Sequence, residues 1–425
     1  MIDANNFKWG GVDCGELAEN FGTPLYVFDE NIINSRCEEI QNKFLRKYKN
    51  TFAYYAGKAF LTRYMANLIK NNNLGLDVVS GGELYTALSA DFDPQNIEMH
   101  GNSKSHDEIL MAVKNNVGRI IVDCPDELKI ISEISRQNNY TCKILIRVCP
   151  GVDAHTHKSI ATGNSDSKFG VPIDGKMLID MIKFAMNDAN INLMGLHFHV
   201  GSQLFSPDDH IKALNNVIKL IKKLKSDLNF TTRELNLGGG LGAVKNPKYK
   251  SVELEKFIDP LMKILYNELD PVPKITIEPG RWIISESGIT IYTVENIKIF
   301  PEIIYIAVNG GMADNPRYAL YNAEYDCVNI KNPNGKLLNL SYPNKKISIV
   351  GKCCESGDIL IDNAEISNTN PGDLIALYNT GAYTFSMSSN YNKLLRPAVV
   401  FVKDGEAKLK VERQKFEDLI SGDYI

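Results

Sequence analysis

Residues 233–242, RELNLGGGLG, and residues 274–281, KITIEPGR, decide how this chain folds. Each is a short, largely apolar run that stops abruptly, the first at Gly238-Gly239-Gly240 and the second at Glu278-Pro279-Gly280. Runs of that length closed by glycine or proline read as strands opening into loops. Upstream the same unit recurs at Phe52–Ala56, Gly75–Val79, Asn96–His100, Arg119–Val122, Lys143–Val148 and Leu193–Val200, followed by Glu234–Leu237 and Lys274–Glu278. Helical patterns lie between them at Leu61–Asn71, His106–Asn115, Asp126–Asn138, Asp209–Leu228 and Val252–Leu269. Strictly alternating strands and helices imply parallel βαβ units. Eight such strands over about 230 residues predict a closed (β/α)8 TIM-type barrel, with an open doubly wound sheet as the alternative.

Past Ile284 the rhythm changes. Thr290–Ile299, Ile303–Val308, Lys346–Val350, Leu374–Tyr378 and Ala398–Val402 are strand-like, with no long helical pattern between them. In AVVFVKDGEAKLKVE, Asp404-Gly405 separates two alternating runs, the signature of a tight hairpin. The expected organisation is a barrel over residues 30–283 and a β-domain over 284–425, the latter joined by segment 1–29 through a strand at Pro24–Phe28.

The bulk properties narrow the function. A chain of 425 residues exceeds one ordinary core. Its net charge of −4 offers no basic footprint for nucleic acid. No apolar run approaches the roughly 20 residues that span a bilayer. The start, MIDANNFKWGGVDCGELAEN, lacks the pattern of a secretory signal, and the eight cysteines are scattered rather than paired, so a cytoplasmic protein with reduced thiols is expected.

In a barrel of this kind, chemistry collects at the C-terminal strand ends. Here those ends carry Lys58, Ser80-Gly81-Gly82-Glu83, His100-Gly101-Asn102, Arg147, His197 and His199 with Gly201-Ser202, Gly238-Gly239-Gly240, and Glu278-Pro279-Gly280-Arg281. A lysine there is commonly a solvated surface residue; desolvated in a barrel mouth it acquires a depressed pKa suited to Schiff-base chemistry. The triple glycine lets backbone N–H groups approach an anion, and phosphate sites are often built by the loops after the seventh and eighth strands. A tight turn accounts for one glycine more readily than for three. His197/His199 and His155/His157 share a metal-like spacing, but no carboxylate or thiolate accompanies them, and no metal is expected.

Taken in order, YYAGKA, HGNSK, RVCPGVDAHTH, TGNSDSKFG, HFHVGSQ, LNLGGGLG, EPGRW, CESGD and GAYTFSMSSNYN resemble the motifs of the diaminopimelate decarboxylase family, fold-type III pyridoxal-phosphate enzymes. The resemblance runs from about residue 24 to 397; Ser103 stands where the family often has Asn. It implies a barrel followed by a β-domain, the architecture shared with alanine racemase and ornithine decarboxylase. It further implies that Lys58 holds pyridoxal 5′-phosphate as a Schiff base, that His199 stacks on the pyridine ring, and that Glu278 pairs with the pyridine nitrogen. Ser202, Gly239, Gly240, the backbone of Glu278, Pro279, Gly280 and Arg281, and Tyr383 would hold the phosphate. Asp77, Glu83 and Arg147 would lie around the cofactor. Cys354 would return the proton after carbon dioxide leaves, and the Cys354-Glu355 segment would reach the other subunit's active site in a homodimer.

Specificity would come from the far end of the substrate. A distal carboxylate needs paired donors, which Arg281, Arg317, Tyr321 and Tyr383 provide, and Glu355 offers a partner for the distal ammonium. The expected reaction is decarboxylation of meso-2,6-diaminopimelate to L-lysine, the closing step of lysine biosynthesis. The alternatives are a decarboxylase of ornithine, arginine or carboxynorspermidine, a racemase on the same fold, or a non-enzymatic pyridoxal-phosphate carrier or regulatory barrel. Each motif also has a plain structural account: buried cysteines at Cys353-Cys354, a packed aromatic at Tyr383, a surface loop at Arg317 and Tyr321, an ion-pair partner at Arg147.

Overall fold

The computed structural model describes residues 7–152, 167–244 and 251–425, and the chain divides into two compact units. The first comprises Arg36–Gly242 with Ser251–Trp282. Its strands are β1 (Thr51–Ala56), β2 (Gly75–Val78), β3 (Ile97–Met99), β4 (Arg119–Val122), β5 (Cys142–Cys149), β6 (Ile191–His197), β7 (Glu234–Asn236) and β8 (Lys274–Ile277). Each pairs in parallel with the next. Strand β8 then pairs in parallel with β1, Ile275 opposite Thr51 and Ile277 opposite Ala53, which closes the ring. That pairing excludes the open-sheet alternative.

The helices follow from their apolar periodicity. In Asp208–Leu228 the buried positions His210, Ala213, Leu214, Val217, Ile218, Ile221 and Leu224 recur every three or four residues, and Asp208 and Asp209 sit in the first turn where the helix dipole favours them. Burying a Leu or Ile of this kind contributes about 1.5–3 kcal/mol. Two helices between strands that periodicity did not mark, Gly81–Leu88 and Lys176–Asn187, join the outer layer. The first begins with two glycines that read as loop, yet Ser80 caps it by accepting the Glu83 N–H at 3.2 Å. Inside the barrel the strands bury polar side chains as well: Glu98, Glu234, Asn236 and Thr276 are fully inaccessible.

The second unit comprises the chain up to Ser35, Ala243–Lys250 and Ile283–Ile425. Its sheet runs Ile359–Ile361, Lys346–Val350, Ile303–Val308, Gly288–Ile299, Leu25–Asp29, Ala398–Lys403, Glu406–Val411. The N-terminal strand Leu25–Asp29 is antiparallel to Gly288–Ile291 and parallel to Ala398–Val402. Asp404 (φ 50°) and Gly405 (φ 84°) form the expected turn, both in the left-handed region that a two-residue hairpin requires. The long strand Gly288–Ile299 serves two apolar clusters. Ile289 and Ile291 pack with Leu25, Val27 and Val400, while Tyr292 and Val294 pack with Ile304, Ile306 and Ile349. Among the described residues no helix is long and apolar enough to cross a membrane.

Candidate active site

The C-terminal ends of β1, β2, β3, β6, β7 and β8 converge, and the sequence dictates how. After β1 the chain makes a single turn at Gly57–Ala59 that carries Lys58. Its side chain is 40% exposed, with Nζ 3.7 Å from Asp77 Oδ2. The lysine is thus partly desolvated: the amine sits in a half-open mouth beside a carboxylate. Asp77 itself is fully buried, and neither of its carboxylate oxygens accepts a hydrogen bond. Burial raises its pKa, opposed by His100 and Lys58. Glu83 turns back to accept the Val79 N–H at 2.8 Å, and burial pushes its carboxyl up to about 7.

Beneath Lys58 lies a layer of buried ionisable groups. His100 Nε2 is 2.9 Å from Glu278 Oε1, 3.6 Å from Glu98 Oε1 and 3.9 Å from Asp77 Oδ1. His197 Nε2 approaches the two Glu278 oxygens at 3.2 and 3.3 Å. The Asn236 amide donates to Glu278 Oε1 at 2.6 Å and to both oxygens of Glu98 at 3.1 and 3.2 Å. Burial alone would neutralise Glu278, but the two histidines hold its carboxyl well below the usual range. Burial likewise opposes charge on His100, yet Asp77 and then Glu278 raise it to about 10. Burial dominates at His197, lowered to about 4, and at His199, also lowered. The layer thus presents an ionised carboxylate flanked by one imidazolium and one neutral imidazole. His100, His197 and Glu278 offer ligand-capable atoms within 4.8 Å of one another. His197 and His199 do not converge on one point: His199 Nδ1 accepts the Gly239 N–H at 3.1 Å. His155 and His157 lie outside the described residues.

The triple glycine has a steric cause at all three positions. Gly238 and Gly240 have φ of 71° and 107°. A Cβ would fall 2.5 Å from the Phe198 carbonyl at Gly238, 2.3 Å from the Glu278 carbonyl at Gly239, and 2.3 Å from the Gly201 carbonyl at Gly240. Backbone hydrogen bonds zip these loops together: Glu278 N–H to Gly238 O (2.9 Å), Leu204 N–H to Gly240 O (2.9 Å) and Gly242 N–H to Leu204 O (2.9 Å). Ser202, Gly239, Gly240, Glu278, Pro279, Gly280 and Arg281 consequently share one rim with Lys58. Gly280 backs onto Ala56, where a Cβ would sit 2.9 Å away.

The second unit gathers the remaining candidates. The Arg317 guanidinium lies 4.8 Å from the Tyr321 ring centroid and 5.2 Å from that of Tyr383, and Arg317 is only 8% exposed. Cys354 and Glu355 are exposed on a tight turn, and the Cys354 N–H donates to Asn392 at 2.7 Å, tying CESGD to SSNYN. Two carboxylates that sequence reasoning missed hold these segments. Asp358 accepts the N–H groups of Cys353 (2.7 Å) and Met312 (2.6 Å). Asp314 accepts the Gly311 N–H (2.9 Å) and the Tyr292 hydroxyl. Also missed were Lys104, whose Nζ donates to Glu127 (2.6 Å), Ile121 O (2.7 Å) and Gly101 O (2.8 Å), and the Glu98–Asn236 pair. A polar residue inside an apolar run, as in NIEMH and ELNL, was the available signal for the last two.

Comparison with known proteins accords with this geometry. Residues 31–285 match the family described as pyridoxal-dependent decarboxylase, pyridoxal binding domain. Curated relatives named diaminopimelate decarboxylase include one from Bacillus subtilis, 40% identical over 97% of this chain and 94% of that protein. Another, from Staphylococcus aureus, is 38% identical over 97% and 96%. The solved diaminopimelate decarboxylase of M. jannaschii superposes with a TM-score of 0.92 at 32% identity, covering 100% of this chain and 97% of that one. With a closed barrel, a separate β-unit and near-complete alignment to these relatives, the chain belongs to the diaminopimelate decarboxylase family of pyridoxal-dependent decarboxylases.

Proposed function

We propose that this protein removes one carboxylate from meso-2,6-diaminopimelate, releasing carbon dioxide and L-lysine, with pyridoxal 5′-phosphate as its cofactor. The observation that carries the reading is Glu278, a buried carboxylate kept ionised by His100 and His197 at the end of the eighth barrel strand. Such a group suits a pyridinium nitrogen and has no evident purpose in a merely structural barrel. The match to relatives of that name over 97% of the chain supports the substrate assignment.

The residues present fit the cofactor. Asp77 carries two buried oxygens that accept no hydrogen bond, 3.7 Å from the Lys58 amine, and the three glycines leave the rim free of side chains. When bound, pyridoxal phosphate supplies a conjugated sink for the electron pair left by departing carbon dioxide. Lys58 offers the amine that holds it, with Asp77 as counter-charge. His199, fixed by Gly239 and kept neutral by burial, offers a flat uncharged face to the ring. Ser202, the glycine rim, the Glu278–Arg281 backbone and the Tyr383 hydroxyl would take the phosphate.

Cys354 would deliver the proton that replaces the lost carboxylate, its thiol being an exposed acidic group of this turn. Arg317, with Arg281, Tyr321 and Tyr383, would meet the distal carboxylate, and Glu355 the distal ammonium. Stacking between two tyrosine rings fixes the Arg317 fork and lowers the entropy lost when it binds a carboxylate. The exposure of Cys354 and Glu355 supports a homodimer in which this turn serves the partner's site. The lack of a membrane-spanning helix among the described residues is in keeping with a cytoplasmic location.

The direct test is carbon dioxide release by the cofactor-loaded protein from meso-diaminopimelate, ornithine, lysine and arginine. Release from diaminopimelate alone, with lysine as product, is expected. Release from ornithine or arginine would refute the distal-end assignment. No release with cofactor bound would favour the carrier or racemase alternatives.

A further inference from the structure

Glu98 and Asn236, beneath the barrel mouth, have no part in the chemistry above, and His100 enters it only by holding Glu278 ionised. All are buried, and they form one connected layer with Glu278. The Asn236 amide bridges the two carboxylates, and His100 Nε2 lies between them, 2.9 Å from Glu278 and 3.6 Å from Glu98. Two carboxylates held this close in a dry interior, with Asp77 adjacent, do not both ionise against a single imidazolium. The other groups facing Glu98 are Tyr54 on β1 and Lys274 on β8. Those facing His100 and Glu278 are Asp77, Asp123, Tyr54, His197, His199 and Arg147. Burial, followed by the charge on Glu278, raises the Glu98 carboxyl well above its ordinary range. The resting distribution is therefore Glu98 as an acid, His100 as imidazolium and Glu278 as carboxylate.

We propose that Glu98, His100 and Glu278 form a buried proton store beneath the pyridine end of the cofactor, from which the pyridine nitrogen is protonated on binding without drawing a proton from solvent. The inference rests on the decarboxylase reading above. The transfer balances: His100 passes its Nε2 proton toward Glu278 and the nitrogen it meets, and regains one from the Glu98 carboxyl. One O–H bond is lost, one N–H bond is gained, and His100 ends as it began. Glu98, now a carboxylate, becomes the counter-ion of the imidazolium, while Glu278 becomes that of the pyridinium. Glu98 and His100 are thus positioning residues, acting through Glu278.

The test counts protons. Cofactor-free protein is titrated with pyridoxal 5′-phosphate in weakly buffered solution at pH 8 with an indicator dye, for the wild type and Glu98→Gln. The glutamine variant should take up about one proton more per site, because its store has no acid; whatever the free cofactor contributes cancels in the difference. Equal uptake overturns the proposal. Should Glu98→Gln fail to fold, the wild type alone decides: its infrared difference spectrum on loading should lose one protonated-carboxyl band, and an unchanged carboxyl region overturns the store. Failure of the wild type to develop bound-cofactor absorbance overturns the decarboxylase reading, and the store with it. Cofactor absorbance with equal proton counts overturns the store alone.

Discussion

Removing Glu127 should destabilise the barrel unit by about 3–5 kcal/mol, the usual cost of breaking one side of a buried ion pair. The Lys104 side chain is 1% exposed and that of Glu127 5% exposed. The ammonium donates to Glu127 at 2.6 Å, to Ile121 O at 2.7 Å and to Gly101 O at 2.8 Å, so all three N–H groups are occupied. Glu127→Ala leaves one donor without a partner and removes the charge's hydrogen-bonded counter-ion, with only the more distant Asp123 and Glu108 remaining. Trp282 is 1% exposed and belongs to the barrel unit, so its fluorescence in a Trp9→Phe background follows that unit alone. With a urea slope of about 3 kcal/mol per M, the midpoint should fall by about 1–2 M. The double variant Lys104→Met with Glu127→Leu should recover most of the loss, because no charge then remains buried. Since Lys104 tethers the loop that follows His100, the single variant should also bind cofactor more weakly. A midpoint shift under 0.3 M for Glu127→Ala, roughly 1 kcal/mol on that slope, would refute the account.

Lys58→Ala should abolish both bound-cofactor absorbance and turnover; a fully active variant would end its assignment as the cofactor lysine. Arg317→Ala should raise KM for diaminopimelate roughly 10–100-fold, as expected for losing a charge-assisted hydrogen bond of about 1.5–3 kcal/mol, and leave substrates without a distal carboxylate unaffected. Equal losses on both substrate classes would mark Arg317 as structural. Glu83 carries a pH signature. Its folded pKa of about 7 exceeds the ordinary value of 4.5, so between those limits the folded barrel binds more protons than the unfolded chain, and stability falls as pH rises through about 7. Glu83→Gln keeps an acceptor for the Val79 N–H and should flatten that decline in urea midpoints measured from pH 5 to 8; an unchanged slope would place the titration elsewhere.

Much of the fold was legible because both periodicities were intact. All eight barrel strands were anticipated within a few residues, and the Asp404-Gly405 turn and the strand near Pro24–Phe28 announced themselves through residues with narrow conformational preferences. Ring closure was expected from the number of strands alone, since the Ile275–Thr51 pairing joins residues more than two hundred positions apart with nothing local to mark it. The same separation hid the layer under the mouth. Glu98, Asn236 and Glu278 come from three strands and meet only because the ring closes. Lys58 illustrates a different limit: its place at a strand end was evident, but its partial exposure depends on the whole mouth. The glycines at 238–240 were read as an anion cradle, whereas the close approach of three separate carbonyls already requires them.

The strand Leu25–Asp29 sits between Gly288–Ile299 and Ala398–Lys403, so an interior strand of the second unit's sheet is made long before either neighbour. On the ribosome this apolar segment, LYVFD, emerges with both edges unpaired and stays so while the entire barrel is synthesised, acquiring its parallel partner only near residue 400. The β-unit is therefore a single fold written on two ends of one message. A fragment beginning at Ile283 lacks this interior strand, and a permuted chain in which 7–35 follows 425 restores it beside both of its partners.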